Sequence, residues 1–272
     1  MAPAKNKNSY RVKPHEKVRL SRVSTSETDG YKSEKEARDM LEDQRAQLDG
    51  LQELLFAENK HAVLVVLQGM DTGGKDGTIR HIFTGINPQG CDVTPFKVPT
   101  PLEARHDFLW RAHKAVPPHG MIGIFNRSHY EDVLVTRVHK LINDNEARER
   151  MEEIVNFEKM LSRNGVVILK FFLHISQEEQ TRRLMERVAD PNKHWKMSES
   201  DFSERKFWPD YVKAYEDAIT HTSRKHAPWF IIPSDHKWYR NVIISRILVE
   251  TLRGLKMKYP KPTIDVKKIH LD

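Results

Sequence analysis

Short apolar runs alternate with longer amphipathic segments along most of the chain. The clearest run, Val166-Val-Ile-Leu-Lys-Phe-Phe-Leu173, has the length and the β-branched and aromatic content of a buried strand. Strands are predicted at 62–67, 91–98, 121–125, 166–173 and 229–232. Helices are predicted at 33–59, from 77 onward, and at 102–115, 146–163, 177–188 and 241–255. Strands that alternate with helices are typical of an α/β fold whose parallel sheet is covered on both faces.

The amino-terminal end differs in character from the rest of the chain. Residues 1–30 are polar, basic and rich in Ser and Thr, which predicts a flexible, irregular arm. Ser33 and Glu36 have the spacing of a capping box and open the first predicted helix. Because α/β folds of this length are often one domain, residues 31–272 are predicted to form a single domain.

The chain is basic, with a formal net charge of +7 and a sequence pI of about 9.3. This charge favours a polyanionic partner, which can be nucleic acid, a membrane surface or a phosphate polymer. The single cysteine, Cys91, excludes an intramolecular disulfide framework, fits a reducing cytoplasm and is expected to be a small buried hydrophobe. No apolar stretch approaches the roughly 20 residues of a membrane span, so we expect no membrane partner.

A glycine-rich segment, Gly69-Met-Asp-Thr-Gly-Gly-Lys-Asp76, lies between the first predicted strand and a predicted helix. This is the order of a phosphate-binding loop, in which glycines let backbone N–H groups face anionic oxygens and Lys75 adds a mobile cation. Asp76 occupies the position where Ser or Thr normally binds Mg²⁺, and Asp71 adds a second carboxylate. Two carboxylates beside a phosphate require Mg²⁺ or additional basic residues. The segment therefore predicts phosphoryl transfer; the alternative is a glycine-rich turn without a ligand.

A second polar cluster, Asn126-Arg-Ser-His-Tyr-Glu-Asp132, follows the predicted strand 121–125. Ligands of open α/β sheets bind at the carboxyl ends of strands, so this cluster is expected beside the phosphate loop if the two strands are neighbours. Many phosphate-loop enzymes hold Mg²⁺ with an Asp at such a strand end. Because the residue here is Asn126, metal binding is expected to shift to Asp71, to Glu131 or to water-mediated contacts.

Arg127, in the same cluster, is expected to bind phosphate through both branches of its guanidinium group. The alternative interpretation is an ordinary strand–helix turn, in which Ser128 is the helix N-cap and Glu131 completes a capping box. Both interpretations can hold together.

A basic segment near residue 190 predicts a mobile lid. Arg183 and Arg187 lie four residues apart, on one face of a predicted helix. The stretch that follows, Asp190-Pro-Asn-Lys-His-Trp-Lys196, is too polar for a core. We expect a lid at about 182–205 whose arginines stabilise the charge of a transferred phosphoryl group, with a solvated helix face as the alternative.

The residues between the two site motifs could form an acceptor pocket. In a kinase of small nucleotides, Phe96 would stack a base and Arg111 would hold an acceptor phosphate. Core packing is the alternative for residues 108–110. The histidines lack the spacing of a zinc site, and no G-x-S-x-G motif for a serine nucleophile is present.

These motifs, taken in order, resemble the type 2 polyphosphate kinases, or polyphosphate:nucleotide phosphotransferases. The resemblance covers about residues 30–256. It is carried by Gly69-Met-Asp-Thr-Gly-Gly-Lys-Asp-Gly77, Phe96-Lys-Val-Pro-Thr100, Phe125-Asn-Arg-Ser-His-Tyr-Glu-Asp-Val133 and Asp190-Pro-Asn-Lys-His-Trp-Lys196. It implies a thymidylate-kinase-like P-loop core, that is, a three-layer α/β/α sandwich with a parallel sheet and a helical lid.

The same resemblance implies an activity: Mg²⁺-dependent, reversible transfer of the terminal phosphate of inorganic polyphosphate to a nucleotide. The form with Asn126 resembles the subgroup that accepts both nucleoside mono- and diphosphates, so AMP would give ADP and ADP would give ATP. Members with Asp at this position are more restricted. The family also implies a dimer or tetramer, for which the helix at 33–59 is a candidate interface.

The site residues that we expect fall into four groups. The catalytic group is Asp71, Lys75, Arg127, Arg183 and Arg187. The phosphate- and polyphosphate-binding group is Gly69, Thr72, Gly73, Gly74, Lys75, Asp76, Gly77, Arg80 and Lys193. The nucleotide-binding group is Phe96, Lys97, Arg111, Asn126 and Glu131. Asp71 and Glu131 are the expected ligands of Mg²⁺.

Two other functions compete with this one. The first is an ATP-dependent nucleotide kinase on the same fold, which Asp76 disfavours because Ser or Thr is usual there. The second is a non-catalytic nucleic-acid-binding protein that uses the basic surface. The chain has no recognisable groove-reading helix and no aromatic platform motif, so no nucleic-acid partner is expected.

Overall fold

The computed structural model describes residues 9–31, 33–265 and 269. Within these residues, five parallel strands form one sheet in the order β2-β3-β1-β4-β5. The strands are β1 (Ala62–Gly69), β2 (Cys91–Pro95), β3 (Ile122–Asn126), β4 (Val166–His174) and β5 (Trp229–Pro233). Each of them coincides with a predicted strand, and the prediction of a parallel α/β sheet is confirmed.

Helices connect the strands and cover the sheet. They are α1 (Glu34–Glu58), α2 (Lys75–Ile82), α3 (Trp110–Lys114), α4 (Val135–Val138), α5 (Asp144–Arg163), α6 (Gln177–Ala189), α7 (Glu199–Ser203), α8 (Trp208–Thr222) and α9 (Lys237–Gly254). Short 3-10 helices lie at Leu20–Arg22, Pro88–Gly90, Glu103–Arg105, His129–Val133, Pro191–Lys196 and Glu204–Phe207.

The two faces of the sheet are packed by different helices. Every residue of β1 is buried, and successive side chains point to opposite faces, as the pleat of a strand requires. Val63, Val65 and Leu67 belong to the core that also contains the buried residues of α1 and α9. Leu64 and Val66 belong to the core formed with α5 and α8. The structure is therefore a three-layer α/β/α sandwich, as expected.

The helix predicted at 102–115 is interrupted. Only the 3-10 turn Glu103–Arg105 and the short helix α3 form there. Between them, the carboxylate of Asp107 accepts a hydrogen bond of 3.0 Å from the backbone N–H of Leu109. An Asp side chain that bonds the backbone two residues on favours a turn over a continuous helix, which explains why the predicted element is wrong.

The amino-terminal segment, residues 9–31, is not a free arm. Its residues Tyr10 and Val12 are buried beside the edge strand β5. The N–H of Val12 donates to the carbonyl of Trp229, and the N–H of Ile231 donates to the carbonyl of Tyr10, each over 2.9 Å. An edge strand leaves backbone groups unpaired, and this segment satisfies some of them. The expectation of a flexible arm therefore needs correction for residues 9–30, while residues 1–8 lie outside the described residues.

No helix in the described part of the chain is both long and apolar enough to cross a membrane.

Candidate active site

The loop that joins β1 to α2 has the backbone shape of a phosphate cradle. A Cβ atom on Gly69 would lie 2.8 Å from the backbone oxygen of Leu173 on β4, so only glycine allows this close approach. Gly74 has a φ of +96°, and Thr72 adopts the left-handed region with a φ of +62°. The buried hydroxyl of Thr72 has no hydrogen-bond partner among the described residues, so it remains available to a ligand.

Lys75, the first residue of α2, points into this loop. Its buried Nζ atom donates to the carbonyls of Gly69 over 2.8 Å and Met70 over 3.3 Å. Burial, together with the nearby Arg127 charge, lowers the pKa of Lys75 to about 8. Backbone carbonyls compensate an ammonium group less well than an anion does, so this lysine is poised to exchange its two carbonyl partners for phosphate oxygens.

Two buried arginines hold the loop from behind. Nη1 of Arg183 on α6 donates to the carbonyl of Thr72 over 3.0 Å, and Nη1 of Arg240 on α9 donates to the carbonyl of Gly73 over 3.1 Å. A side chain on Gly74 would overlap the Arg240 guanidinium group, so that glycine is also required for packing. Because two successive loop carbonyls accept hydrogen bonds from these arginines, their partial negative charges are directed away from the anion site.

Arg183 has a different place from the one that we predicted. Besides Thr72, its guanidinium group donates to the carbonyls of Ser234 and Asp235 and pairs with Glu179 at 2.6 Å. The side chain is 5% exposed. In this structure Arg183 supports the phosphate loop instead of facing a transferred phosphoryl group, which corrects its predicted role.

Arg127, at the end of β3, organises the acidic residues of the site. Its Nη2 atom lies 2.7 Å from Oδ1 of Asp71, and its Nη1 atom lies 3.4 Å from Oε2 of Glu131. Burial lowers the pKa of Arg127, but the charges of Glu131 and Asp71 outweigh it and raise the pKa above its ordinary value. The φ of Arg127 is +61°, a strained conformation for a non-glycine residue that aims its side chain at the loop.

Asn126 connects the second motif to the phosphate loop. Strands β1 and β3 are neighbours, and Leu67 is paired with Asn126 in their register. The side-chain amide of Asn126 donates a hydrogen bond of 2.7 Å to Oδ1 of Asp76 in the first turn of α2. The structure thus brings together the two motifs that the sequence placed at the carboxyl ends of strands.

The interpretation of this motif as a capped turn also holds in part. The hydroxyl of Ser128 accepts a hydrogen bond from the N–H of Tyr130 and opens the 3-10 helix His129–Val133. A short 3-10 helix forms instead of a regular α-helix. The carboxylate of Glu131 is directed to Arg127, so the capping box that we considered is replaced by an ion pair within the site.

The acidic residues fit a magnesium ion that is shared with substrate. No group of three or more metal-ligating side chains occurs in residues 9–31, 33–265 and 269. However, Mg²⁺ in kinases is usually bound by one or two carboxylates together with phosphates and water. Arg127 contacts one oxygen each of Asp71 and Glu131, which leaves the second oxygen of each carboxylate outside these ion pairs.

The predicted acceptor residues Phe96 and Arg111 are engaged within the protein. Phe96 is 4% exposed and packs on Phe125, with ring centroids 4.7 Å apart, so its ring is not available to stack a base. Arg111 lies over Phe96, donates to the carbonyl of Lys97 over 2.7 Å and pairs with Asp132 at 3.2 Å. Both predicted roles therefore need correction in this structure, whereas the side chain of Lys97 is exposed.

Two basic residues of the predicted lid, Arg187 and Lys193, are partly exposed. Arg187 lies 3.9 Å from Asp201, and Lys193 pairs with Asp190 at 2.8 Å. Among the described residues, neither side chain pairs with the phosphate loop, so their predicted roles stay predictions. Arg80 is exposed on α2, beyond the loop.

Besides Arg240, sequence reasoning missed three residues near the site, which are Gln68, Gln180 and Tyr215. Gln68, at the end of β1, donates to the hydroxyl of Ser128 over 3.1 Å and accepts from the hydroxyl of Tyr215 on α8 over 3.3 Å. Gln180 on α6 donates to the backbone carbonyl of Asp71 over 3.1 Å. The apolar spacing of residues 211, 214, 215, 218 and 219 could have revealed α8.

Cys91 begins β2 and is half-buried. Burial raises the pKa of its thiol to about 12, which keeps it protonated and unreactive near neutral pH. This agrees with the expectation of a small hydrophobe instead of a catalytic thiol.

Comparison with known proteins identifies the family. The family model described as Polyphosphate kinase 2 (PPK2) matches residues 31–260. The AMP/ADP-polyphosphate phosphotransferase of Meiothermus ruber is 49% identical over 264 residues, which cover 97% of this chain and 99% of that protein. The ADP-polyphosphate phosphotransferase of Rhodopseudomonas palustris is 44% identical over 266 residues, which cover 93% and 92%.

A solved structure agrees with these relatives. The crystal structure of Polyphosphate Kinase 2 from Arthrobacter aurescens TC1 matches with a TM-score of 0.93 and 41% sequence identity. The match covers 97% of this chain and 95% of that one. Together with the phosphate loop and the facing Arg127 cluster, these findings show that the chain is a kinase and that it belongs to the polyphosphate kinase 2 family.

Proposed function

We propose that this kinase transfers the terminal phosphate of inorganic polyphosphate to both AMP and ADP, and that the reaction is reversible and depends on Mg²⁺. The observation that carries the proposal is the convergence of Lys75 and the Arg127–Asp71–Glu131 cluster at the carboxyl ends of the neighbouring strands β1 and β3. The name of the Meiothermus ruber relative supports the choice of acceptors.

Different residues of the site position the substrates and neutralise the charge of their phosphates. Lys75 and the loop N–H groups bind the transferring phosphate, and Arg127 binds a second phosphate oxygen on the opposite side. Asp71 orients the acceptor phosphate relative to Arg127, to which it is hydrogen-bonded. An acceptor phosphate is already anionic at neutral pH, so in-line transfer needs no strong general base.

Mg²⁺, when bound, would neutralise charge between the donor and acceptor phosphates. Asp71 and Glu131 are the residues that we propose would hold it, through the oxygens that Arg127 does not contact. Asp76, held in place by Asn126, lies in the loop where the usual Ser or Thr ligand would be.

The reaction can be tested with purified protein, Mg²⁺, long-chain polyphosphate and either AMP or ADP, in the absence of ATP. New nucleotides are followed by chromatography. We expect ADP and then ATP from AMP, ATP from ADP, and no product when EDTA removes the metal. Protein with Lys75→Ala, purified in parallel, is the control for contaminating adenylate kinase.

Other results would change the proposal in defined ways. ATP from ADP with AMP inert would retain the donor but contradict the dual-acceptor inference from Asn126. No product from either acceptor, with transfer when ATP replaces polyphosphate, would favour the ATP-dependent kinase. Net ADP formation from ATP and polyphosphate would test reversibility, and sedimentation of the full chain would test the predicted dimer or tetramer.

A further inference from the structure

Arg240 is a buried cation without an acidic partner. It lies in the first turn of α9 and is 1% exposed. No carboxylate lies within ion-pairing distance of it in the part of the chain that the structure describes, and the charge of Arg183 acts on it unfavourably. Burial, and secondarily the Arg183 charge, lower the pKa of Arg240. Burial of a charge destabilises the folded state unless an opposite charge lies close to it, so Arg240 on its own is expected to be unfavourable here.

The hydrogen bonds of Arg240 are all made to neutral groups. Its Nε and Nη2 atoms donate to Oδ1 of Asn241 over 3.1 and 3.0 Å, and its Nη1 atom donates to the carbonyl of Gly73 over 3.1 Å. These bonds fix the orientation of the guanidinium group but do not neutralise its positive charge. Arg183 differs, because Glu179 pairs with it at 2.6 Å.

The position of Arg240 directs that charge at the phosphate loop. Its guanidinium group fits into the space that the missing side chain of Gly74 leaves open. It is therefore in contact with the rear of the loop whose front receives the anion. In a site with a low effective dielectric, a fixed charge acts over several ångströms without touching the ligand.

We propose that Arg240 is a positioning residue whose uncompensated positive charge, held behind the phosphate loop, strengthens the binding of phosphate anions at the front of the loop. The inference rests on the proposed function only in that the loop binds polyphosphate. The bound anion offsets the positive charge of Arg240, for which the fold provides no acidic partner. The free-energy cost of burying the arginine is therefore lower when the anion is bound.

Asn241→Asp is the decisive variant, because it is nearly isosteric, keeps both acceptor contacts and supplies Arg240 with a counter-charge. The empty protein should melt at a higher temperature, since the buried cation gains a partner. Its affinity for tripolyphosphate should fall by roughly tenfold, the order expected for a charge interaction at low effective dielectric. A residue of merely structural importance would not move the two quantities in opposite directions.

Substitutions at Arg240 separate charge from shape. Arg240→Gln retains a donor for the Gly73 carbonyl but loses the charge, so its affinity for tripolyphosphate should fall by a similar factor. Arg240→Lys keeps a cation but loses the guanidinium fork, so it should bind tripolyphosphate more tightly than Arg240→Gln and more weakly than the wild type. Asn164→Asp, at the opposite end of the sheet, changes the net charge by the same amount as Asn241→Asp and should bind normally.

Isothermal titration calorimetry of each full-length variant with tripolyphosphate, without nucleotide, measures these affinities, and thermal unfolding monitors the fold. Unchanged affinity in Asn241→Asp, or equal losses in Arg240→Lys and Arg240→Gln, would overturn the inference. If Arg240→Gln does not fold, Asn241→Asp decides alone, because it leaves the arginine in place.

Measurements on the wild-type protein distinguish a failure of this inference from a failure of the proposed function. A wild-type protein that binds no tripolyphosphate contradicts the inference. Binding without phosphate transfer to AMP or ADP contradicts only the proposed function, and the variants still decide the role of Arg240.

Discussion

The side-chain amide of Asn126 donates a hydrogen bond of 2.7 Å to the carboxylate of Asp76, and so links the end of β3 to the first turn of α2. In many phosphate-loop enzymes the hydroxyl is on the loop and the carboxylate is on the strand. Here the loop carries the carboxylate and the strand carries a neutral donor. As in those enzymes, the pair carries one negative charge, but here the charge lies on the phosphate loop instead of on the strand.

Asn126→Asp should destabilise the empty protein, because it places two carboxylates in contact. Repulsion raises the pKa of the folded pair, so the folded state binds more protons than the unfolded state and its stability falls as the pH rises. We expect a loss of about 1 kcal/mol near pH 8 that is smaller near pH 5, since the pair is partly exposed. Urea unfolding at the two pH values measures this loss. Asn126→Ala, which removes the bond without repulsion, should show no such pH dependence.

Lys75→Ala and Asp71→Ala should each lower kcat by on the order of a hundredfold or more, the cost of losing one group that stabilises a transition state. Lys60→Ala is the matched control, because Lys60 is an exposed lysine before the opposite end of β1. Thermal unfolding would verify that each variant is folded. Near-wild-type turnover in a folded Lys75→Ala or Asp71→Ala protein would show that the site is elsewhere.

Binding of polyphosphate should take up a proton in buffers above pH 8. The pKa of Lys75 is about 8 in the substrate-free protein, so this lysine is partly neutral there. A bound polyanion favours the charged form and raises the pKa toward its ordinary value, so affinity should fall as the pH rises through 8.

Titration calorimetry in two buffers that differ in ionisation enthalpy measures the proton uptake by Lys75. Lys75→Met should abolish most of the difference between the buffers. An equal buffer dependence in the variant would assign the proton to another group.

Comparison of Arg183→Met with Arg187→Met should distinguish an arginine that stabilises the phosphate loop from one in the predicted lid that contributes little to stability. Arg183 is 5% exposed and has a carboxylate and three carbonyls as partners, so its loss should cost about 3 kcal/mol of unfolding free energy. Arg187 is 26% exposed and lies 3.9 Å from its acidic neighbour, so its loss should change stability by less than about 0.5 kcal/mol. Urea unfolding measures the loss of unfolding free energy in both variants. Equal losses would contradict the assignment of Arg183 as the residue that supports the phosphate loop.

The sheet was predictable because its strands carry strong local signals. β1 is apolar from residue 62 to 67, and β4 is apolar from residue 166 to 173 except for Lys170, and glycine-rich or polar turns follow both strands. The long helices α1 and α5 were also found, because their apolar positions repeat at helical spacing. The phosphate loop follows from the same local order of strand, turn and helix.

The supporting residues of the site were not predictable, because they are distant in sequence. Arg240 contacts Gly73 across 167 positions, and no local pattern marks that contact. Phe96 was misassigned for a related reason. A sequence alone does not distinguish an aromatic ring that stacks a ligand from one that packs on Phe125.

The backbone pairing of residues 10–12 with β5 has a consequence for how the protein can be shortened. The family match begins at residue 31, so a fragment cut to that boundary would lack this segment. It would present an open strand edge, which is a template for the addition of a strand from a second molecule. Residues 10–12 therefore cover part of the β5 edge against pairing with a second molecule, although they lie outside the region that the family model matches.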